Sequence, residues 1–247
     1  MKTLRTFCLC LGLALAGCRL GNPSEPAPLP GGVITGLVVS GGPVAGATVQ
    51  VSGPGGLLGR TRTDASGAFR LPLATPSATL TVVVSGGSYT EPTHPGSVSS
   101  GRLSGTFAYH AGHTLTVAVT PITTAACALA QDFVREGYAS GPAEAHANDE
   151  FAAWLDFAPA TTDPVLLDAL PAGQTFDASL RYGLILAALS RWAVASGSTT
   201  RALTRTMVAD LAFDGRLNGQ GAQGLLTLGS LTLSATAYAD ALADALM

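Results

Sequence analysis

The period of the hydrophobic residues changes once along this chain of 247 residues, at Pro121. From Gly31 to Thr120 the apolar residues fall in short alternating runs, VITGLVV, ATVQV, AFRLPL, ATLTVVV, GTFAYH and TLTVAVT, separated by Gly, Pro and Ser. Alternation puts every second side chain on one face of a strand; with the segment around GRTRT, about seven strands are predicted, the pattern of a small β-sandwich. After Pro121 the spacing lengthens to three and four: Ala126, Cys127, Ala130, Phe133, Val134 and Tyr138 mark a helix that ends near Gly141-Pro142. Further helices are predicted over 143–157, burying Phe151, Trp154 and Leu155, and over 176–196, 199–213 and 235–246. A short helical turn is predicted from Asp163-Pro164 to Leu170, and 224–233 reads as either extended or helical. The expected fold class is α+β in two domains, a sandwich over 31–120 followed by an α-helical domain over 121–247.

Within the β-rich half, Asp64 to Gly67 lies between two predicted strands. Asp64 suits a turn because its carboxylate accepts from nearby backbone N–H groups, and Gly67 suits the positive φ of a short hairpin. Phe69 and Leu71 then share one face and point inward, as Ala47, Val49 and Val51 do with Gln50 opposite them. The order Ile34-x-Gly36-x-Val38, then PVAGATVQV from Pro43, then TDASGAFRL from Thr63 resembles the carboxypeptidase regulatory-like domain. That resemblance implies a transthyretin-like sandwich in which Asp64, Gly67 and Phe69 are structural. The helical half resembles C-terminal regions of bacterial surface lipoproteins that share a PxTT opening, a YxxxLAxLSxxA helix and a DGxxxG turn. Here these are Pro121 to Thr124, Tyr182 to Ala193 and Asp214 to Gly219.

The N-terminus carries an address. Lys2 and Arg5 precede an apolar run from Phe7 to Ala16, the layout of a secretory signal and too short to span a bilayer, which takes roughly 20 apolar residues. Leu15-Ala16-Gly17-Cys18 resembles the lipobox of bacterial lipoproteins. The resemblance implies a signal peptide over 1–17, a diacylglycerol thioether on Cys18 and an acyl chain on its amino group. Several buried chains hold a protein on a membrane where one does not. Residues 18–30, with the Pro-rich RLGNPSEPAPLP from Arg19, read as an extended tether. Arg19, not Asp, follows the lipidated cysteine, which under enteric-type sorting implies the outer membrane.

Charge and cysteine content narrow the chemistry. Lys2 is the only lysine, and removal of Lys2 and Arg5 from the 13 basic residues leaves 11 against 16 acids, a formal charge of -5 in the mature form. With no basic run, a nucleic-acid partner is not expected. Cys8 and Cys10 leave with the signal and Cys18 takes lipid, so Cys127 remains as a lone thiol in an Ala-rich apolar stretch, where a buried, inert cysteine is the expectation. Arg181 and Arg191 bracket about nine residues of the most apolar helix, which favours a buried helix over a membrane span.

Three polar constellations invite a functional reading. His110 and His113 form HxxH, but positions three apart on a β-hairpin face opposite ways, and no other ligands converge, so exposed turn histidines are expected and no metal. Glu144, His146, Asp149 and Glu150 are the densest polar set, with Arg135 and Trp154 as possible neighbours in one groove; the alternative is the acidic opening of a helix. Asp210, Asp214 and Asn218 gather oxygen donors around a glycine, but they lack the spacing and final Glu of a calcium loop, and helix termination at Gly215 is the better account. GxSxG, HExxH, P-loop and dinucleotide motifs are absent from the sequence. The expected function is a non-enzymatic binding or scaffolding lipoprotein with no cofactor, its partners the membrane and an envelope protein or glycan. The alternative is a surface carbohydrate- or peptide-binding protein of an uptake or degradation system.

Overall fold

The computed structural model describes residues 31–91, 94–167 and 173–243. The lipobox, Cys18 and the tether lie outside them. The chain is mixed α+β, with a β-rich N-terminal part and a helical C-terminal part.

The β-rich part has nine strands: β1 (Gly32–Val38), β2 (Thr48–Gly53), β3 (Gly56–Arg62), β4 (Ala68–Leu73), β5 (Ala78–Ser85), β6 (Ser88–Glu91), β7 (His94–Ser99), β8 (Arg102–Tyr109) and β9 (Thr114–Val119). Seven of them form two sheets, β4-β1-β9 and β3-β2-β5-β8, while β6 and β7 pair as a separate hairpin. Strand β1 is antiparallel to β4 but parallel to β9, with Gly36 opposite both Phe69 and Val117. The two sheets share one core. Ile34, Val38, Phe69 and Val117 from the first meet Val49, Val51, Leu80, Val82, Leu103 and Phe107 from the second.

Phe69 and the Ala47, Val49 and Val51 face are buried as their period requires, while Leu71 is only partly buried at the edge of that core. The Asp64 turn has the predicted chemistry but joins different partners. The Oδ1 of Asp64 accepts from Ser66 N–H at 2.9 Å, Ser66 Oγ at 2.7 Å and Ala68 N–H at 3.0 Å. The Ser66 hydroxyl, with the Ala68 amide, holds its carboxyl below the usual range. Gly67 has φ +78°. Yet β3 and β4 lie in different sheets, so the turn is a corner that carries the chain from one sheet to the other, and not a hairpin. The HxxH segment makes a second such corner. His110 and His113 are exposed on the turn from β8 to β9, His113 N–H bonding the His110 carbonyl at 3.1 Å.

The helices are α1 (Pro121–Arg135), α2 (Ser140–Leu155), α3 (Ala178–Ala195), α4 (Thr200–Asp214) and α5 (Ala235–Ala243). Helix α1 begins five residues before its first predicted apolar position, because the TPIT stretch is a capping box. Thr120 Oγ1 accepts from Ile122 N–H and Thr123 N–H, and Thr123 Oγ1 accepts from Thr120 N–H at 2.9 Å. Strand β9 thus passes into α1 with no linker. Helix α2 also starts earlier than predicted, at Ser140, since Gly141 and Pro142 fit its first turn. That start moves Glu144 out of the first turn, which holds no acid, so the dipole account of the acidic set does not apply. Phe151 is buried as predicted, but Trp154 is 50% exposed and Leu155 only partly covered.

Of the helical turn predicted from Asp163-Pro164 to Leu170, residues 163–166 are irregular and 168–170 lie outside the described residues. The ambiguous stretch 224–233 resolves into strands, within two small hairpins: β10 (Gln220–Gly221) with β11 (Gly224–Leu225), and β12 (Thr227–Leu228) with β13 (Leu231–Thr232). Among the described residues, no helix is long and apolar enough to cross a membrane. The helical core takes in Val39 and Ala118 from the β-rich part, so the two cores meet at the ends of β1 and β9.

Candidate functional site

No predicted strand corresponds to the β6–β7 hairpin, which holds the buried carboxylate of Glu91. SYTE and HPGSVS are short, polar and interrupted by proline, so their period-two signal is lost. Tyr89 and Glu91, two residues apart on β6, project to the same side, and Glu91 is 2% exposed. Its carboxylate accepts four hydrogen bonds. Oε1 takes Tyr89 OH and Thr200 N–H, each at 2.7 Å, and Oε2 takes Thr200 Oγ1 at 2.8 Å together with Ser190 Oγ. Tyr89 lies on the same hairpin, Ser190 on α3, and Thr200 is the first residue of α4, so one buried acid ties three elements from both halves of the chain.

The oxygens of Glu91 are thus taken up by four donors within the protein, which offsets the desolvation of the buried carboxylate. The Tyr89 hydroxyl is equally committed: burial, reinforced by the neighbouring carboxylate, pushes it up to about 12. A second bond crosses the same seam. Thr120 Oγ1 and Tyr182 OH lie 2.6 Å apart, both residues fully buried. The motif residues of the helical half are therefore seam and cap residues. Tyr182 and Ser190 of YxxxLAxLSxxA reach back to Thr120 and Glu91, and Thr124 of PxTT bonds Ser104 on β8 at 2.9 Å. In DGxxxG, Gly215 ends α4 in the left-handed conformation, while buried Asp210 accepts from Gly219 N–H at 2.8 Å and Gln220 N–H at 3.0 Å. Asp214 accepts from Arg216 N–H and from Asn218 Nδ2, so the oxygen cluster is occupied in closing the turn.

A cavity of about 520 Å³ opens beside the Glu91 network, between the hairpin, the loop from Gly41 to Pro43, and α3; Tyr89, Thr90, Val165, Leu186 and Ala187 are among its walls. That volume lies in the range of small-molecule sites. A second, smaller cleft of about 310 Å³ lies where α1 and α2 meet the outer face of β5 and β8. Its walls include Thr81, Arg102, Ser104, Cys127, Gln131 and Glu144. Burial raises the Glu144 carboxyl and pushes the Cys127 thiol up to about 11. Iodoacetamide at about pH 8 is expected to leave Cys127 unmodified in the folded protein and to alkylate it in urea, as read by peptide mass spectrometry. Modification of the native chain would contradict the burial.

The other members of the acidic set do not converge on Glu144. His146 faces Glu150 at 3.9 Å and lies against the rings of Phe133 and Tyr138. Arg135 bonds Asp132 and the Ala212 carbonyl at the end of α4, and Trp154 packs on Phe151. Among the described residues no group of three or more His, Cys, Asp or Glu is placed to hold a metal.

No protein-family model and no curated protein matches the chain. Among solved structures, it is similar to a proposed carbohydrate binding protein from Pseudomonas aeruginosa, with TM-score 0.29 and 13% identity over 40% of this chain and 98% of that one. It is also similar to 3-chlorocatechol 1,2-dioxygenase from Rhodococcus opacus 1CP, with TM-score 0.22 and 13% identity over 39% of this chain and 62% of that one. A 9R-lipoxygenase from Cyanothece PCC8801 has TM-score 0.22 and 12% identity over 72% of this chain and 24% of that one. Likeness at this distance assigns no activity.

Glu91 leaves a faint trace in the sequence. It and Asp64 are the only acids between residues 31 and 120, and Tyr89 stands at the same-face position before it. Its partners on α3 and α4 lie 99 and 109 residues away.

Proposed function

We propose that this protein is a non-enzymatic binding or scaffolding lipoprotein of the bacterial cell envelope, anchored at the outer membrane through lipid on Cys18. In this reading the β-rich half is a carboxypeptidase regulatory-like, transthyretin-like domain, and residues 121–247 form a helical domain fixed to it. The observation that supports the scaffolding part of the reading is the Glu91 carboxylate, whose four hydrogen bonds bind the hairpin to α3 and α4. Such an acid serves as a strut, and a strutted pair of domains presents its surfaces in constant relative orientation. Pre-set surfaces favour recognition, because little ordering entropy is lost on binding.

The anchoring half of the reading is tested by expressing the full chain in a bacterium that processes lipoproteins. Wild-type protein is expected in the membrane fraction with Cys18 as its acylated first residue, and Cys18→Ala in the soluble fraction. An acylated, membrane-bound Cys18→Ala protein would overturn the assignment. Proximity labelling from the anchored protein tests the scaffolding half, which predicts a small reproducible set of envelope neighbours; a labelling pattern no different from that of an unrelated lipoprotein would overturn it.

A further inference from the structure

The strand register places an arginine at each end of a row of hydroxyls on the outer face of the four-stranded sheet. Val49, Val51, Leu80, Val82 and Val84 are buried in the core, so their sequence neighbours face outward. Arg62 pairs with Thr48, Thr48 with Ser85, and Ser85 with Arg102, one row across β3, β2, β5 and β8. The adjacent row runs Arg60, Gln50, Val83 and Ser104. At about 4.8 Å per strand each row spans roughly 14 Å. Arg60, Arg62, Arg102 and Ser85 are exposed, and Thr48, Gln50, Val83 and Ser104 are half-buried. Both rows end in the cleft under α1, where Arg102 and Ser104 are shared.

Charge is divided between the halves in the same sense. Residues 31–120 carry four arginines and two acids, and one of those acids is the buried Glu91; residues 121–247 carry six arginines and thirteen acids. Among the described residues, Arg60, Arg62 and Arg102 have no acidic partner within ion-pair distance. The two rows hold no acid and no aromatic ring. Arginine forks match carboxylates, and hydroxyls and amides match sugar hydroxyls. Without rings there is no platform for stacked bases or for the flat face of a neutral sugar.

We infer that this shelf binds a carboxylated polysaccharide strand, its carboxylates on the arginines of β3 and β8 and its hydroxyls on the Thr, Ser and Gln between them. The inference rests on the reading of the chain as a binding module, and names the ligand class. The cleft wall formed by α1 and α2 closes one end, and Glu144 is the acid there that an anionic strand meets.

The test uses full-length protein in detergent, with polygalacturonate as the probe and dextran and a single-stranded oligonucleotide as the other arms. Polygalacturonate is expected to bind, more weakly as salt rises, while the other two bind at least tenfold more weakly. Arg62→Gln with Arg102→Gln is expected to reduce affinity about tenfold or more, Arg216→Gln on the helical half to leave it unchanged, and Glu144→Gln to tighten it. Exposed arginines tolerate these changes, and an unchanged melting temperature verifies the fold. Equal binding of the oligonucleotide would show a general polyanion surface, and equal binding of dextran would remove the role of charge; either overturns the inference. So would no binding of polygalacturonate, or full affinity in the double variant. Failure here leaves the membrane fractionation result untouched, and a soluble wild-type protein would leave polygalacturonate binding untouched, so the two readings fail separately.

Discussion

Glu91→Ala is expected to destabilise the protein by about 3–5 kcal/mol, the cost of removing one side of a buried charged network. The substitution deletes more than attraction. It strands the Thr200 N–H and the hydroxyls of Thr200, Ser190 and Tyr89 in a seam where Ser190 and Thr200 are fully buried. Each buried polar group left without a partner costs about 1–3 kcal/mol, and the seam can relax to recover some of that. Glu91→Gln retains an acceptor oxygen and is expected to lose less. Urea unfolding followed by tryptophan fluorescence measures both, because Trp192 lies on α3, two residues after Ser190. A double-mutant cycle with Thr200→Ala is expected to be strongly non-additive. A loss under about 1 kcal/mol in Glu91→Ala would mean that the seam does not depend on this acid.

Gly67→Val is expected to cost about 3 kcal/mol or more, since it combines a left-handed backbone with a steric collision. At φ +78° a β-branched side chain is already strained. A Cβ built there would stand 2.6 Å from the Val38 carbonyl oxygen and 3.1 Å from Val44 N. The backbone cannot retreat cheaply, because the Gly67 carbonyl accepts from Val38 N–H at 2.9 Å and its own N–H bonds the Asp64 carbonyl at 3.1 Å. Gly46 separates the two causes. It also has positive φ, +69°, but open space around its Cβ position, so Gly46→Val should carry the backbone term alone and melt closer to wild type. Equal melting temperatures for Gly67→Val and wild type would contradict the corner geometry.

The repeating patterns were the legible part of the molecule. Period two marked the Val49 and Val51 face and the burial of Phe69, and the three-to-four spacing located α3 and α4 within two residues of their observed starts. Turn chemistry was legible at Asp64 and Gly215, where one residue type suits one local conformation. What a turn connects was not, because the choice between a hairpin and a sheet-changing corner depends on pairing between distant strands. The same reason hid Glu91, whose environment is assembled from the far end of the chain, and the arginine rows, which exist only through register. Gly141-Pro142 resembles a helix stop, yet α1 already ends at Arg135 and both residues are tolerated in the first turn of α2.

The parallel pairing of β1 with β9 has a mechanical consequence. In the proposed anchored form, tension between lipid on Cys18 and a load held by the helical half would enter β1 at Gly32 and leave β9 at Val119, opposite ends of two strands in parallel register. Pulled that way, the ladder bonds are sheared together and do not peel one after another. A chain tethered at one end to a fluid bilayer and at the other to something stiff would therefore resist stretching along its strongest direction.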